Sequence, residues 1–298
     1  MKRILLILLC LCVLSGCTVA NTDAPAGTLS IVTTLFPQYD FARVIAGDLA
    51  QVRLLLPPGA ESHSYEPTPA DMIAINEADL FIYTGDEMEA WVPQVLASLE
   101  KDPVIVNLSN GIDLLHGHEG HDHDVDPHVF TNPLYAVKMA QAITDALCEI
   151  DPPNAAAYQS RGEAYIKELR GLDASLTEVT QNAARKKLIF GGRFAFLYLT
   201  EAYGLSYEAA YDSCSSESEP SSAKIADIIE TVRKEKIPVV MYEELTEPKL
   251  AQLICEETGA KPLLLHSCHN ISKEELAGGA TYLSLMQQNI EHIKEGLN

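Results

Sequence analysis

The chain is short of positive charge. Its 298 residues hold 21 Lys and Arg against 42 Asp and Glu, a formal net charge of −21. A protein that wraps phosphate needs basic faces, so this balance argues against a nucleic-acid partner. It is compatible with a cationic ligand, although overall charge speaks mainly to solubility. The signatures H-E-x-x-H and G-x-S-x-G are absent, and so is C-x-x-C. No convincing nucleophile set therefore stands out. The apolar run over 4–14 is too short and wrongly flanked for a transmembrane helix.

That run, preceded by Lys2 and Arg3, reads as an export signal ending in Leu14-Ser15-Gly16-Cys17. Small residues before a cysteine resemble the bacterial lipobox, in which cleavage leaves the cysteine to carry lipid. The expectation is a signal peptide over 1–16, lipid on Cys17 and a polar tether over 17–27. The mature protein then lies outside the cytoplasm, anchored to the bacterial cell membrane, with 42 acids facing 19 bases. Of the cysteines beyond Cys17, Cys214 and Cys268 both follow strand-like runs and form the expected disulfide, which that compartment permits. Cys148 and Cys255 read as buried apolar residues on helices.

Two halves repeat one plan. Strand-like runs at 29–35, 52–57, 80–85 and 104–109 alternate with helical patterns at 37–48, 68–78 and 87–99. A second set of runs, at 187–192, 207–212, 238–244 and 262–266, alternates with helices at 194–203, 220–236 and 246–258, and a last helix covers 279–296. Such alternation implies βαβ units and mainly parallel sheets. Between the halves, Tyr158, Tyr165, Ile166, Leu169, Leu172, Leu176 and Val179 recur at helical spacing. The fold expected is α/β, two pseudo-symmetric lobes (28–152 and 186–298) joined by a long rigid helix over 153–185.

The histidines fall in a few segments. His63 lies in ESHSYEP, His128 in DPHVF, and His266 and His269 in LLLHSCHN, while His116, His118, His121 and His123 crowd a loop rich in acids. Imidazole is a favoured ligand of zinc and its neighbours. In open α/β sheets ligands bind outside the carboxyl ends of the strands. His63, His128, His266 and the pair Glu243–Glu244 all follow strands on that kind of edge. If the lobes face each other across these edges, the residues converge. The ligand set expected is His63, His128 and His266, with Glu243, a water or His269 completing the shell. The histidine-rich loop 116–123 is an accessory metal tract. Affinity should fall between about pH 7 and 5, because an imidazole must be deprotonated to bind.

PPGAESHSYEPTPADM, DLFIYTGDEMEAWV, the histidine-rich loop followed by DPHVF, and TYLSLMQQNI resemble the zinc- and manganese-binding lipoproteins of ABC importers, in their zinc-uptake branch. The likeness spans nearly the whole mature chain. It implies two α/β lobes on a rigid helix with metal in the cleft. His63 and His128 match the first two ligand positions, and His266 falls where many members carry an aspartate. One departure stands out. Where members carry a third histidine or a glutamate, in the segment IFGGRFAFLYL, this chain has Arg193, and a guanidinium cannot ligate metal. The third ligand then comes from elsewhere, or Arg193 pairs with Glu243 or Glu244 and holds the cleft closed.

The function expected is therefore a monomeric extracytoplasmic receptor, not an enzyme. It would bind Zn2+, with Mn2+ as the alternative, and pass the ion to an ABC permease. Two rivals remain at this stage. One is a surface adhesin stabilised by metal. The other is a zinc hydrolase with Glu61 as its base.

Overall fold

The computed structural model describes residues 28–116, 125–211 and 219–298. The export signal, Cys17, the tether, Cys214 and most of the histidine-rich loop (His118, His121 and His123) lie outside the described residues. His116 is described and exposed.

All eight expected strands form: β1 (Leu29–Thr33), β2 (Ala50–Leu54), β3 (Leu80–Tyr83), β4 (Val104–Asn107), β5 (Lys187–Phe190), β6 (Ser206–Ala209), β7 (Val239–Tyr242) and β8 (Lys261–Leu264). They build two parallel four-stranded sheets in the same relative order, β2-β1-β3-β4 and β6-β5-β7-β8. The inner strands are nearly continuous apolar runs, as a parallel sheet covered on both faces requires; all four residues of β3 are buried.

Helix ends follow local chemistry. Thr68 caps Pro69–Glu77 through a reciprocal box with Asp71, and Thr281 does the same for Tyr282–Gly296 with Ser284. Two helices differ from expectation. The stretch 87–99 is helical only over Val92–Leu96, because Glu89 is drawn back into hydrogen bonds with Thr84 and Gly85. The helix expected from 246 begins at Lys249, since Thr246 spends its hydroxyl on the Glu243 carbonyl. A short helix over Lys273–Ala277 was not legible by periodicity.

The linker helix, Ala155–Asn182, is 28 residues long and spans about 42 Å at 1.5 Å per residue. Its buried stripe of Tyr158, Tyr165, Ile166, Leu169, Leu172 and Leu176 lies in the largest hydrophobic cluster. That cluster also takes in Ile31, Leu80 and Ile82 of the first sheet and Leu188, Phe190 and Met241 of the second. The inner faces of both lobes thus share one core with the strut. The outer faces have smaller cores of their own, one around Val32, Phe81 and Val92, the other around Ile189, Val240 and Ile254. Among the described residues no helix is long and apolar enough to cross a membrane.

Candidate metal centre

The carboxyl edges of the two sheets face each other, and five loops meet between them. The loop after β2 carries Glu61 and His63, and the loop after β4 carries Asp126 and His128. From the second lobe come Arg193 after β5, Glu243 and Glu244 after β7, and His266 to Asn270 after β8. Backbone contacts tie the lobes together here. Gly59 donates its N–H to the Ile271 carbonyl at 2.8 Å, and the Asn270 amide donates to the carbonyls of Ala60 (2.5 Å) and Pro57 (3.2 Å). Tyr198 bridges the stems of the histidine-rich loop, accepting from Leu115 N–H at 3.0 Å and donating to the Asp126 carbonyl at 2.7 Å.

Three imidazoles come together: His63, His128 and His269. Their ring centroids stand 5.4 Å (63–128), 6.1 Å (63–269) and 6.1 Å (128–269) apart. A tetrahedral zinc with Zn–N bonds of about 2.05 Å sets the centroids of two ligating rings about 5.2 Å apart. The triad is within about 1 Å of that spacing. As it stands, no group of three His, Cys, Asp or Glu side chains among the described residues is gathered tightly enough to hold an ion. Three imidazole nitrogens are a donor set that suits zinc, and the rings would have to come closer together to hold the ion.

A local device aims each ring. In all three cases the side chain two residues earlier accepts the histidine's backbone N–H: Glu61 for His63 (3.2 Å), Asp126 for His128 (2.8 Å) and Ser267 for His269 (3.3 Å). Asp126 also binds the His128 Nδ1 at 2.9 Å, which puts the proton on Nδ1 and leaves the Nε2 lone pair for an ion. Ser267 does the same for His269. Its hydroxyl donates to Glu244 at 2.5 Å, so its oxygen accepts from Nδ1 of His269. Burial pushes the His269 imidazole below its ordinary value despite the Glu244 carboxylate behind it, and so keeps it in the neutral, metal-binding form. Burial alone would raise the Glu244 carboxyl. His266 beside it and the Ser267 hydrogen bonds outweigh burial and hold it ionised.

Four expectations need correction. His266 does not join the triad. Its ring is fully buried in the second lobe, where Nδ1 accepts the Cys268 N–H at 2.9 Å and Nε2 faces Glu275 at 3.6 Å. Asn289 on the last helix clamps its backbone from both sides. His269, ranked below it from sequence, stands with His63 and His128 instead. Glu243 is likewise spent elsewhere: its carboxylate accepts the Arg193 backbone N–H at 3.0 Å, and burial raises its pKa. A Cβ on Gly192 would fall 1.8 Å from that carboxylate, so only glycine allows the approach. The Arg193 guanidinium meets neither Glu243 nor Glu244; it reaches across the cleft to Glu61, Nη1 to Oε2 at 3.4 Å. Last, Cys268 is a free, fully buried thiol held against the His266 carbonyl, not half of a disulfide.

Sequence reading missed Asp126, Ser267 and Asn270. The E-x-H, D-x-H and S-x-H spacing was the available signal for the first two. Beside the triad lies a cavity of about 100 Å³ lined by Glu61, Arg193, Glu243, Glu244, Ser267 and His269.

The family described as zinc-uptake complex component A, periplasmic, matches residues 31–296. The zinc-binding lipoprotein AdcA of Streptococcus pneumoniae is 35% identical over 307 aligned residues, which cover 99% of this chain and 61% of AdcA. The chain thus spans about three fifths of that relative's length. The structure of AdcA's Zn(II)-bound ZnuA-like domain superposes with a TM-score of 0.79 at 34% identity, covering 91% of this chain and 99% of the domain. The high-affinity zinc uptake system protein ZnuA of Bacillus subtilis is 35% identical over 94% of this chain and 91% of its own. The laminin-binding protein Lmb of Streptococcus agalactiae, described as having adhesin and metal-transporting activity, has a TM-score of 0.77 at 28% identity, covering 91% of this chain and 100% of Lmb.

Proposed function

The chain belongs to the zinc-uptake component A family, and from that membership we propose that it is the zinc receptor of an ABC importer. It takes the ion outside the cytoplasm, between its lobes, and delivers it to a permease. The reading rests on one observation above the rest: three imidazoles from loops of both lobes stand at nearly the spacing that a tetrahedral ion demands. The ligands are His63, His128 and His269. Three nitrogen donors favour zinc over manganese, which prefers oxygen. The protein binds its cargo without transforming it.

The same reading takes Cys17 as the lipid anchor, the protein as a monomer and the 116–123 tract as an accessory collector of metal. Surface adhesion is a second role, favoured by the likeness to Lmb.

The test is zinc titration of metal-free protein against a competing chelator. His63→Ala, His128→Ala and His269→Ala should each weaken binding by about 100-fold or more. His266→Gln should leave binding within a few-fold once folding is verified by circular dichroism. Tight binding that survives all three alanine variants would remove the triad as the site.

A further inference from the structure

We propose that Tyr198 and Tyr282, both from the second lobe, are positioning residues that bracket His128 and fix its imidazole relative to His269. The proposal deepens the receptor reading and rests on it. By sequence His128 belongs to the first lobe. It sits on backbone that neither a helix nor a strand holds: residues 126–128 are irregular, and a single 3-10 turn, Val129–Thr131, follows. Such a segment lacks a ladder of backbone hydrogen bonds, so other ties decide where it sits. Two phenols of the other lobe supply ties at matched spacing. Two residues before His128, the Tyr198 hydroxyl donates to the Asp126 carbonyl at 2.7 Å. Two residues after it, the Tyr282 hydroxyl donates to the Phe130 carbonyl at 2.6 Å.

Each of the two tied residues meets the imidazole. The Asp126 carboxylate binds Nδ1 at 2.9 Å, and the Phe130 ring stands T-shaped to the His128 ring with centroids 6.0 Å apart. Shifting either carbonyl therefore shifts a neighbour of the ring. The phenols are themselves wedged against aromatic rings of the first lobe. Tyr198 packs edge-on to Tyr135 and Tyr282 edge-on to Phe41, with centroids 5.7 Å and 4.9 Å apart. Both tyrosines are buried, and burial lifts their hydroxyls well above the ordinary tyrosine value, so they stay protonated and donate. His128 is thus carried with the second lobe, together with His269. These two imidazoles form the fixed half of the site, and His63 supplies the movable third.

The Kd of Zn2+ should be measured on the whole chain for Tyr198→Phe, Tyr282→Phe and the double variant, each also in His63→Ala and His128→Ala backgrounds. Phenylalanine keeps the ring packing and removes only the hydroxyl, and apo-protein melting temperatures verify that each variant folds. Each hydroxyl is expected to be worth about fivefold in affinity, the factor that one hydrogen bond typically contributes. The loss should persist in the His63→Ala background and vanish in the His128→Ala background, since the tyrosines act through His128; a merely structural role would carry over into both. Nitrogen-15 NMR of the imidazoles in the apo protein gives a second readout, with the His128 signals identified by their absence in His128→Ala. Wild type should show His128 as the Nδ1–H tautomer, and the double variant a mixture of tautomers. Phe variants with wild-type affinity, or a loss undiminished in the His128→Ala background, overturn the proposal. Where an alanine background binds too weakly to titrate, the tautomer decides, and an unchanged Nδ1–H form in the double variant overturns it. A wild-type chain without tight zinc overturns the receptor reading itself, whatever the tyrosine variants do.

Discussion

Asp126→Ala tests whether the triad is a built site or a chance meeting of histidines. Asp126 contributes two contacts through one oxygen, to the His128 backbone N–H at 2.8 Å and to Nδ1 at 2.9 Å, and the imidazole it holds is almost wholly buried. Removing the carboxylate takes away the acceptor that fixes the Nδ1–H tautomer, and it removes the negative charge that makes Nε2 a better donor. Loss of such an outer partner typically costs about 10–100-fold in metal affinity, or about 1.4–2.8 kcal/mol. The buried Nδ1–H also loses its acceptor, which should cost the apo protein about 1–3 kcal/mol of stability. Asp126→Asn keeps an oxygen acceptor without the charge and should fall between wild type and alanine. The assay is chelator competition for Zn2+ on folded variants, with urea unfolding of the apo forms alongside. A zinc affinity for Asp126→Ala within twofold of wild type would refute the claim that His128 is aimed at an ion.

Zinc affinity should fall as pH drops from about 7 to 5, because each imidazole must shed its proton to bind; calorimetry giving a flat response would contradict histidine ligation. Burial pushes the Glu89 carboxyl up to about 7 from 4.5. The native state therefore holds that proton more tightly, and stability is fully present below about pH 4.5 and falls by about 3 kcal/mol as pH rises through 7. Urea unfolding of wild type and Glu89→Gln at pH 4.5 and 8 should show that the variant lacks this component; identical pH dependence in the two would count against it. Gly192→Ala should displace Glu243 from the Arg193 N–H and cost about 1–3 kcal/mol, measured by thermal melting of the apo protein.

Much of the fold was legible because two periodicities were clean. Eight apolar β-branched runs separated by amphipathic stretches leave few alternatives to parallel sheets, and the stripe from Tyr158 to Leu176 is long enough to name the strut. His63 and His128 were legible as candidates because each follows a strand at the carboxyl edge. The choice between His266 and His269 was not, since both share one short loop. It is decided by a backbone feature invisible to periodicity: Cys268 adopts a positive φ of 68° between them. His266 turns inward under the clamp of Asn289, while His269 comes beside His63 and His128. The partner of Arg193 was equally hidden, because Glu61 is 132 residues distant and belongs to the other lobe.

The shared core limits how the ion can leave. Ile31, Leu80, Leu188, Phe190 and the linker stripe lie in one cluster, so swinging the lobes apart as rigid bodies would expose their common apolar surface. Uncovering only about 400 Å² of it would cost about 10 kcal/mol, close to the whole stability of an ordinary domain. Tyr282 adds two buried ties between the lobes, its N–H to Asp40 at 2.9 Å and its hydroxyl to the Phe130 carbonyl at 2.6 Å. The loops at the cleft are held more lightly, by a few hydrogen bonds from Gly59, Asn270 and Tyr198 and by the exposed Glu61–Arg193 pair. Each such bond is worth about 1 kcal/mol net. The permease proposed above, competing for these contacts, would open the loop bearing His63 without disturbing the strut. On the ligand set proposed above, withdrawing His63 would take away one of three imidazoles and weaken the hold on the ion, so delivery would ask a loop to move while the lobes stay where they are.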